Sequence, residues 1–169
     1  MRKIILVAVD RALAIGNQNR LPWQGHQKAD MRRFVELTMG FPLIVGRKTY
    51  ESFPNRPLPG RTNIVVTRQS QFETQKPGLC IASSCDEALL FAEQEGKEKV
   101  FVIGGSEIYR QMLPFVDELN VTMIDHEFEA DTFFRPIDSH IWRQTDRVDH
   151  PSDKDNLYPY SFLKFERSI

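Results

Sequence analysis

Cysteine is scarce: Cys80 and Cys85 are the only two in 169 residues. Two are too few for a disulfide framework, and their spacing is not that of a metal site, so a reducing cytosol is the expected compartment. Long apolar runs are also missing. The opening MRKIILVAVDR imitates a secretory leader, but its apolar part stops at Asp10 and Arg11 and reads better as a buried first strand. Nothing approaches the ~20 consecutive apolar residues of a membrane span. Neither sign of charge dominates. Twenty-two Lys and Arg face 23 Asp and Glu, a formal net charge of -1, which gives no reason to expect a nucleic acid or an acidic membrane as partner. His26, His126, His140 and His150 form no H-x-x-x-H and pair with no cysteine, so no metal site is expected. A G-x-S-x-G or Cys–His signature is absent too, leaving a nucleophilic hydrolase without support.

What is present is a regular alternation. Short apolar runs recur at Ile4–Val9, Leu43–Gly46, Asn63–Thr67, Leu79–Ala82, Val100–Gly104 and Leu119–Asp125. Trp142–Val148 and Tyr160–Arg167 alternate more and read as outer or antiparallel strands. Helical stretches lie between: Gln27–Met39, a short one over Lys48–Phe53, and Ser106–Met112. Ser84 and Glu87 form a capping box ahead of ALLFAEQ, and Gly96 closes that helix. Strands alternating with helices predict an α/β fold, a mixed and mainly parallel sheet of eight strands flanked by about four helices, with an antiparallel C-terminal strand. The chain length fits one domain, 1–169.

In such sheets ligands bind beyond the carboxyl ends of the strands. Three strand ends here suit a phosphate. GRKT (Gly46, Arg47, Lys48, Thr49) offers backbone N–H groups, a hydroxyl and charge at a helix start, although alone it fits a basic surface turn equally well. Thr67 and Arg68 end another strand, and the pair Gly104-Gly105 precedes a helix, where a missing Cβ lets something approach the backbone. A dinucleotide carrying an extra phosphate would use all three.

The second constellation is LPWQGHQKADMRRFVELT. At helical spacing Met31, Phe34, Val35, Leu37 and Thr38 share one arc, with Lys28, Arg32, Arg33 and Glu36 on the other side. Asp30 falls inside the apolar arc. A carboxylate there is costly without a partner, so Asp30 either binds backbone amides at the helix start or is kept for a ligand with two N–H donors. In the second case its pKa would rise, which suits acid–base work. DHEFEAD, by contrast, reads as a mostly solvated loop with at most one structural acid.

With both sets in view, the chain resembles dihydrofolate reductases of the bacterial, monomeric chromosomal type, nearly end to end. The resemblance is carried by IGNQNRLPW, Asp30 with Phe34, VGRKTYESF, RPLPGRTNIVVTR, VIGGSEIY, EADTFF and the closing aromatic strand. It implies a cytoplasmic monomer that reduces dihydrofolate with NADPH and is a target of antifolate inhibitors. It also implies a cis peptide between Gly104 and Gly105, with Arg56–Pro57 as a second candidate. Cofactor-binding positions carried over are Ala8, Ile15, Gly16, Gly46, Arg47, Lys48, Thr49, Thr67, Arg68, Ile103, Gly104, Gly105, Ser106, Glu107, Ile108 and Tyr109, with an adenosine-binding subdomain at about 41–97. For the substrate, Asp30 resembles the ionisable residue pairing with pterin N3 and the 2-amino group, and Thr122 its hydrogen-bonding neighbour. Leu6, Val7 and Ile103 resemble pterin-pocket positions. Leu21 and Trp23 resemble a mobile catalytic loop; Phe34, Phe53 and Leu58 would grip the aminobenzoyl ring, Arg61 the glutamate α-carboxylate, and Asp131 would bond amides near Gly16 to close the loop.

Two departures bear on this. QGHQKA is two residues longer than the common bacterial spacing between Trp23 and Asp30, and YPYSF stands in place of a histidine-containing triplet. A same-fold NADPH-dependent pyrimidine reductase of riboflavin synthesis shares the phosphate features but has no reason to carry LPW with Asp30 and Arg61. A non-catalytic nucleotide-binding module is the remaining alternative, and a carboxylate among apolar residues argues against it.

Overall fold

The computed structural model describes residues 1–69, 71–73 and 76–169. Its elements are β1 (Arg2–Val9), β2 (Ala14–Gly16), α1 (Lys28–Thr38), β3 (Leu43–Gly46), α2 (Arg47–Glu51), β4 (Asn63–Val66), β5 (Leu79–Ala82), α3 (Cys85–Gln94), β6 (Lys99–Val102), α4 (Ser106–Met112), β7 (Glu118–Ile124), β8 (Thr132–Phe133), β9 (Trp142–His150) and β10 (Tyr160–Arg167). Eight strands form one sheet in the order β5-β4-β3-β6-β1-β7-β10-β9, and β2 pairs with β8 in a separate two-stranded ladder. The mixed sheet and four helices agree with the sequence reading. The β2–β8 ladder was not anticipated, because strands of three and two residues are too short to show a period.

The chain groups into two units, residues 1–5 with 38–116 and residues 6–37 with 117–169. In the first, β1–β6, β6–β3, β3–β4 and β4–β5 are all parallel pairs. Leu43, Ile44, Val45, Ile64, Val65, Val100 and Val102 have no exposed surface. Parallel strands covered on both faces have to read as continuous apolar runs, and these do. Ser84 caps α3 by accepting from the Glu87 N–H, and Gly96 leaves the helix at φ +66. The expected reciprocal bond is displaced by one residue: the Glu87 carboxylate takes the N–H and hydroxyl of Ser83.

In the second unit β10 runs antiparallel to both β7 and β9, with a bulge at Lys164/Phe165. β9 is exposed at seven successive positions and bears Arg143, Asp146, Arg147 and Asp149, charges that blunt an outer strand. Helix α1 departs from its expected arc. Met31 is 54% exposed and Val35 38% exposed, whereas Arg33, placed on the polar side by spacing, is half-buried. The covered face runs through Asp30, Arg33, Phe34, Leu37 and Thr38, because what α1 meets is partly polar. No helix among the described residues is long and apolar enough to cross a membrane.

Candidate active site

In the first unit the glycine-bearing strand ends converge. The Gly46 N–H donates to the Gly104 carbonyl at 2.7 Å, joining the ends of β3 and β6. The Gly104–Gly105 peptide is cis, as is Arg56–Pro57. Gly104 sits at φ +118, a region other residues rarely enter. A Cβ on Gly46 would stand 3.1 Å from Ile108 Cγ1, and one on Gly105 would stand 2.9 Å from Thr49 Oγ1. Glycine at 46, 104 and 105 thus lets the starts of α2 and α4 approach each other, with Ile108 and Tyr109 buried behind them. That cradle of backbone, two helix starts and the Thr49 hydroxyl is suited to an anion.

The cations around it are not equivalent. Lys48 and Arg68 are exposed, and Arg68 lies within electrostatic reach of Glu107. Arg47 is turned away from a purely ligand-facing role: its guanidinium grips both carboxylate oxygens of Glu51 at 3.0 Å. Glu107 is held by Arg110 and Gln111, which push its carboxyl down to about 2, so it keeps a negative charge beside Arg68. The Thr67 hydroxyl accepts from the Gln69 N–H and shapes the turn after β4. Ser106 is exposed at the first position of α4.

Arg61 is only 8% exposed. Its Nε donates to the Pro59 carbonyl at 2.9 Å and its Nη1 to Thr38 Oγ1 at 3.0 Å, so the fork is oriented. Burial pulls the guanidinium below its ordinary pKa, though arginine stays charged. A residue missed by sequence reasoning builds this loop: fully buried Asn63 accepts from the Leu58 N–H and donates to the Leu58 and Arg61 carbonyls. A polar side chain opening an apolar strand was its only signal. Phe53 is half-buried and edge-on to Tyr50.

In the second unit Asp30 and Thr122 come together. Thr122, buried on β7, donates its hydroxyl to the Asp30 carboxylate. Desolvation is the larger effect and raises the Asp30 carboxyl above the ordinary carboxylate range, while Thr122 and the Arg33 charge oppose it. The first turn of α1 is capped from far away. Asn156 Oδ1 accepts the Ala29 N–H at 2.9 Å, the Lys28 N–H reaches the Asp155 carbonyl, and Gln27 exchanges two bonds with the Tyr158 backbone. The longer QGHQKA segment is therefore accommodated by the loop between β9 and β10, and Asp30 is not the residue that caps the helix.

Leu6 and Val7 are buried on β1, and Ala8 is half-buried. Ile103 is buried just past β6, its N–H bonded to the Ile44 carbonyl. Ile15 and Gly16 are half-buried in β2, and Leu21 is exposed. Trp23 is 2% exposed, tilted against Phe128, with an indole N–H that has no partner among the described residues. A buried donor of this kind is rare in proteins. Asp131 accepts from the Gln18 N–H at 2.9 Å and from the Thr132 hydroxyl, which together lower its pKa, and its own N–H reaches the Gly16 carbonyl. Asp10, which only ended the first apolar run in the sequence, is fully buried and accepts the N–H groups of Ala12, Ala14 and Phe128.

Comparison with known proteins agrees over the whole chain. The family described as Dihydrofolate reductase matches residues 3–167. The chain is 38% identical over 167 residues to dihydrofolate reductase type 3 of Salmonella typhimurium, covering 96% of this chain and 99% of that one. It is 40% identical over 162 residues to dihydrofolate reductase of Bacillus subtilis, covering 96% and 92%. Among solved structures, dihydrofolate reductase from Enterococcus faecalis complexed with NADP(H) and RAB-propyl superposes with a TM-score of 0.88 at 36% identity, covering 99% of this chain and 97% of that one.

Proposed function

We propose a division of labour within a chain that belongs to the dihydrofolate reductase family. The protein is an NADPH-dependent oxidoreductase that converts 7,8-dihydrofolate to 5,6,7,8-tetrahydrofolate. NADPH, when bound, supplies the hydride that goes from nicotinamide C4 to pterin C6. The cradle of Gly46, Thr49, Gly104 and Gly105 fits its pyrophosphate, since a Cβ on Gly105 would occupy the approach at 2.9 Å from Thr49 Oγ1. Exposed Lys48 and Arg68 suit the phosphates, with Arg68 and Thr67 assigned to the 2′-phosphate and residues 41–97 to the adenosine half. Ala8, Ile15, Gly16, Arg47, Ile103, Ser106, Glu107, Ile108 and Tyr109 complete the proposed cofactor set.

Asp30 is the proposed pterin anchor. Its carboxylate would accept from N3–H and the 2-amino group while Thr122 fixes its rotamer. It would set the electrostatics around N5, which gains its proton from water. Leu6, Val7, Ile103, Phe34, Phe53 and Leu58 supply apolar surface, and oriented Arg61 suits the glutamate α-carboxylate as a bidentate partner. Leu21 and Trp23 would exclude water from the reacting rings, and Asp131, through Gln18, would hold that loop closed. We further assign the protein to the cytoplasm as a monomer.

The observation that carries the reading is a desolvated carboxyl at Asp30, hydrogen-bonded by Thr122, in a chain matched to the family along its length. The test is the loss of NADPH absorbance with and without dihydrofolate. Consumption that requires dihydrofolate is expected; NADPH consumed only with a pyrimidine substrate would defeat it.

A further inference from the structure

Strand β7 carries a polar stripe at buried positions. Glu118, Asn120 and Thr122 occupy alternate positions and are 5%, 6% and 2% exposed, so all three project from one face. Their register partners on β10 are Glu166, Lys164 and Phe162, and directly opposed residues share a face. Lys164 Nζ lies 3.5 Å from Glu118 and 3.5 Å from Glu166, and Glu118 accepts from Asn120 Nδ2 at 2.6 Å. Arg33 of α1 ends this chain. Its Nη2 donates to Asn120 Oδ1 at 3.3 Å, and its guanidinium carbon sits 4.1 Å from the centre of the Phe162 ring. One helical turn earlier Asp30 takes the Thr122 hydroxyl, and positions three apart are neighbours on a helix.

We propose that Arg33 is a positioning residue for the reaction: clamped by Asn120 and Phe162 one helical turn from Asp30, it holds a fixed positive charge on the side of the pterin-binding carboxyl and so sets the pH at which reduction falls off. This rests on the reading of Asp30 as the pterin carboxylate. An arginine spread over an aromatic face and tied to a buried amide is held in place, so the field it puts on Asp30 does not fluctuate with solvent as a surface charge does. Asp30 meets Arg33 on α1 and Thr122 on β7, while Arg33 also feels Glu36 on α1 and Asp146 on β9. Burial weakens the guanidinium's hold on its proton, and the three carboxylates Asp30, Asp146 and Glu36 oppose that loss only in part.

The test is direct titration of Asp30 in the free enzyme, followed by the carboxyl carbon signal of ¹³C-labelled aspartate, with Asp30→Asn identifying the resonance. Arg33→Met keeps apolar packing on Phe162 and removes the charge; Arg33→Lys keeps the charge. Loss of one nearby unit charge in partly screened surroundings should raise the Asp30 midpoint by about half to one pH unit. The pH at which hydride transfer declines should move up with it, and Arg33→Lys should stay near wild type in both. A midpoint unmoved in Arg33→Met, or moved equally in Arg33→Lys, overturns the proposal. The underlying reading fails separately, by an Asp30→Asn enzyme that keeps its activity.

Discussion

Substituting Gly105 by Ala tests the glycine cradle with a single methyl group. The added Cβ would lie 2.9 Å from Thr49 Oγ1, closer than non-bonded atoms stand, and Thr49 is the first-turn hydroxyl of α2. Gly105 itself has φ −78 and ψ −158, ordinary extended backbone, so the penalty is steric and local. Either the Thr49 side chain or the start of α4 has to give. Overpacking of this kind costs ~1–3 kcal/mol, which for a chain of this size lowers Tm by roughly 2–12 °C. If Thr49 moves, the charge-assisted contact proposed for it with a cofactor phosphate, worth ~1.5–3 kcal/mol, would be lost, about ten- to a hundredfold in Kd. Thermal denaturation and fluorescence titration with NADPH measure the two effects. Adding Thr49→Ala removes the clashing oxygen, so the double variant should regain most of the lost Tm while still binding NADPH weakly. A Gly105→Ala protein with wild-type Tm and affinity, or a double variant no more stable than Gly105→Ala alone, would show that no such contact limits residue 105.

The other predictions concern charges. Arg68→Ala should weaken NADPH by roughly ten- to a hundredfold and leave NADH nearly unaffected, as comparative Kd measurements would reveal; equal losses would mean that Arg68 is structural. Arg61→Ala should raise the Kd for dihydrofolate by a similar factor, about ten- to a hundredfold, without changing NADPH affinity. A folate analogue lacking the glutamate tail should bind both proteins alike. Asp131 has a depressed folded pKa because the Gln18 N–H and Thr132 hydroxyl favour its charged form. Its contribution is therefore complete above the unfolded value of ~3.9 and is lost as pH falls through the lower folded one. The protection of the Gln18 amide, taken against its intrinsic exchange rate at each pH, should persist across neutral pH and be lost only in acid, whereas Asp131→Ala should remove it at every pH.

What could be read from the sequence, and what could not, follows from the range of the interactions. Runs such as LIVG and NIVV announce buried parallel strands because their first three side chains are all covered, and Ser84 announces a helix start because its partner is three residues on. The cap of α1 has no such signature: Asn156 meets Ala29 across 127 residues. The role of Asp10 was hidden for the same reason, since its carboxylate serves the Phe128 N–H more than 100 residues away; that of Asp131, as distant from Gln18, came from the family resemblance and not from local pattern. Arg33 was assigned to the polar side of α1 because helical periodicity sees only one helix, and it is Asn120 and Phe162 on the facing strands that cover it. The alternation of Glu118, Asn120 and Thr122 within ELNVTMI was legible, but an apolar-run reading absorbed it.

In the proposed function the Asp30 carboxyl, desolvated and held by Thr122, governs reduction of the pterin. Single-turnover hydride transfer in wild type and Asp30→Asn, followed from about pH 5 to about pH 9, spans the titration of a carboxyl raised above its ordinary ~3.9. Removing acid–base assistance typically costs ~10²–10⁴-fold, so the variant should be slower by that factor near neutrality, with NADPH affinity intact. It should recover partly at low pH, where substrate is protonated at N5 in solution, while wild type declines only as pH rises. A variant that transfers hydride at close to the wild-type rate near neutral pH would remove Asp30 from the reaction.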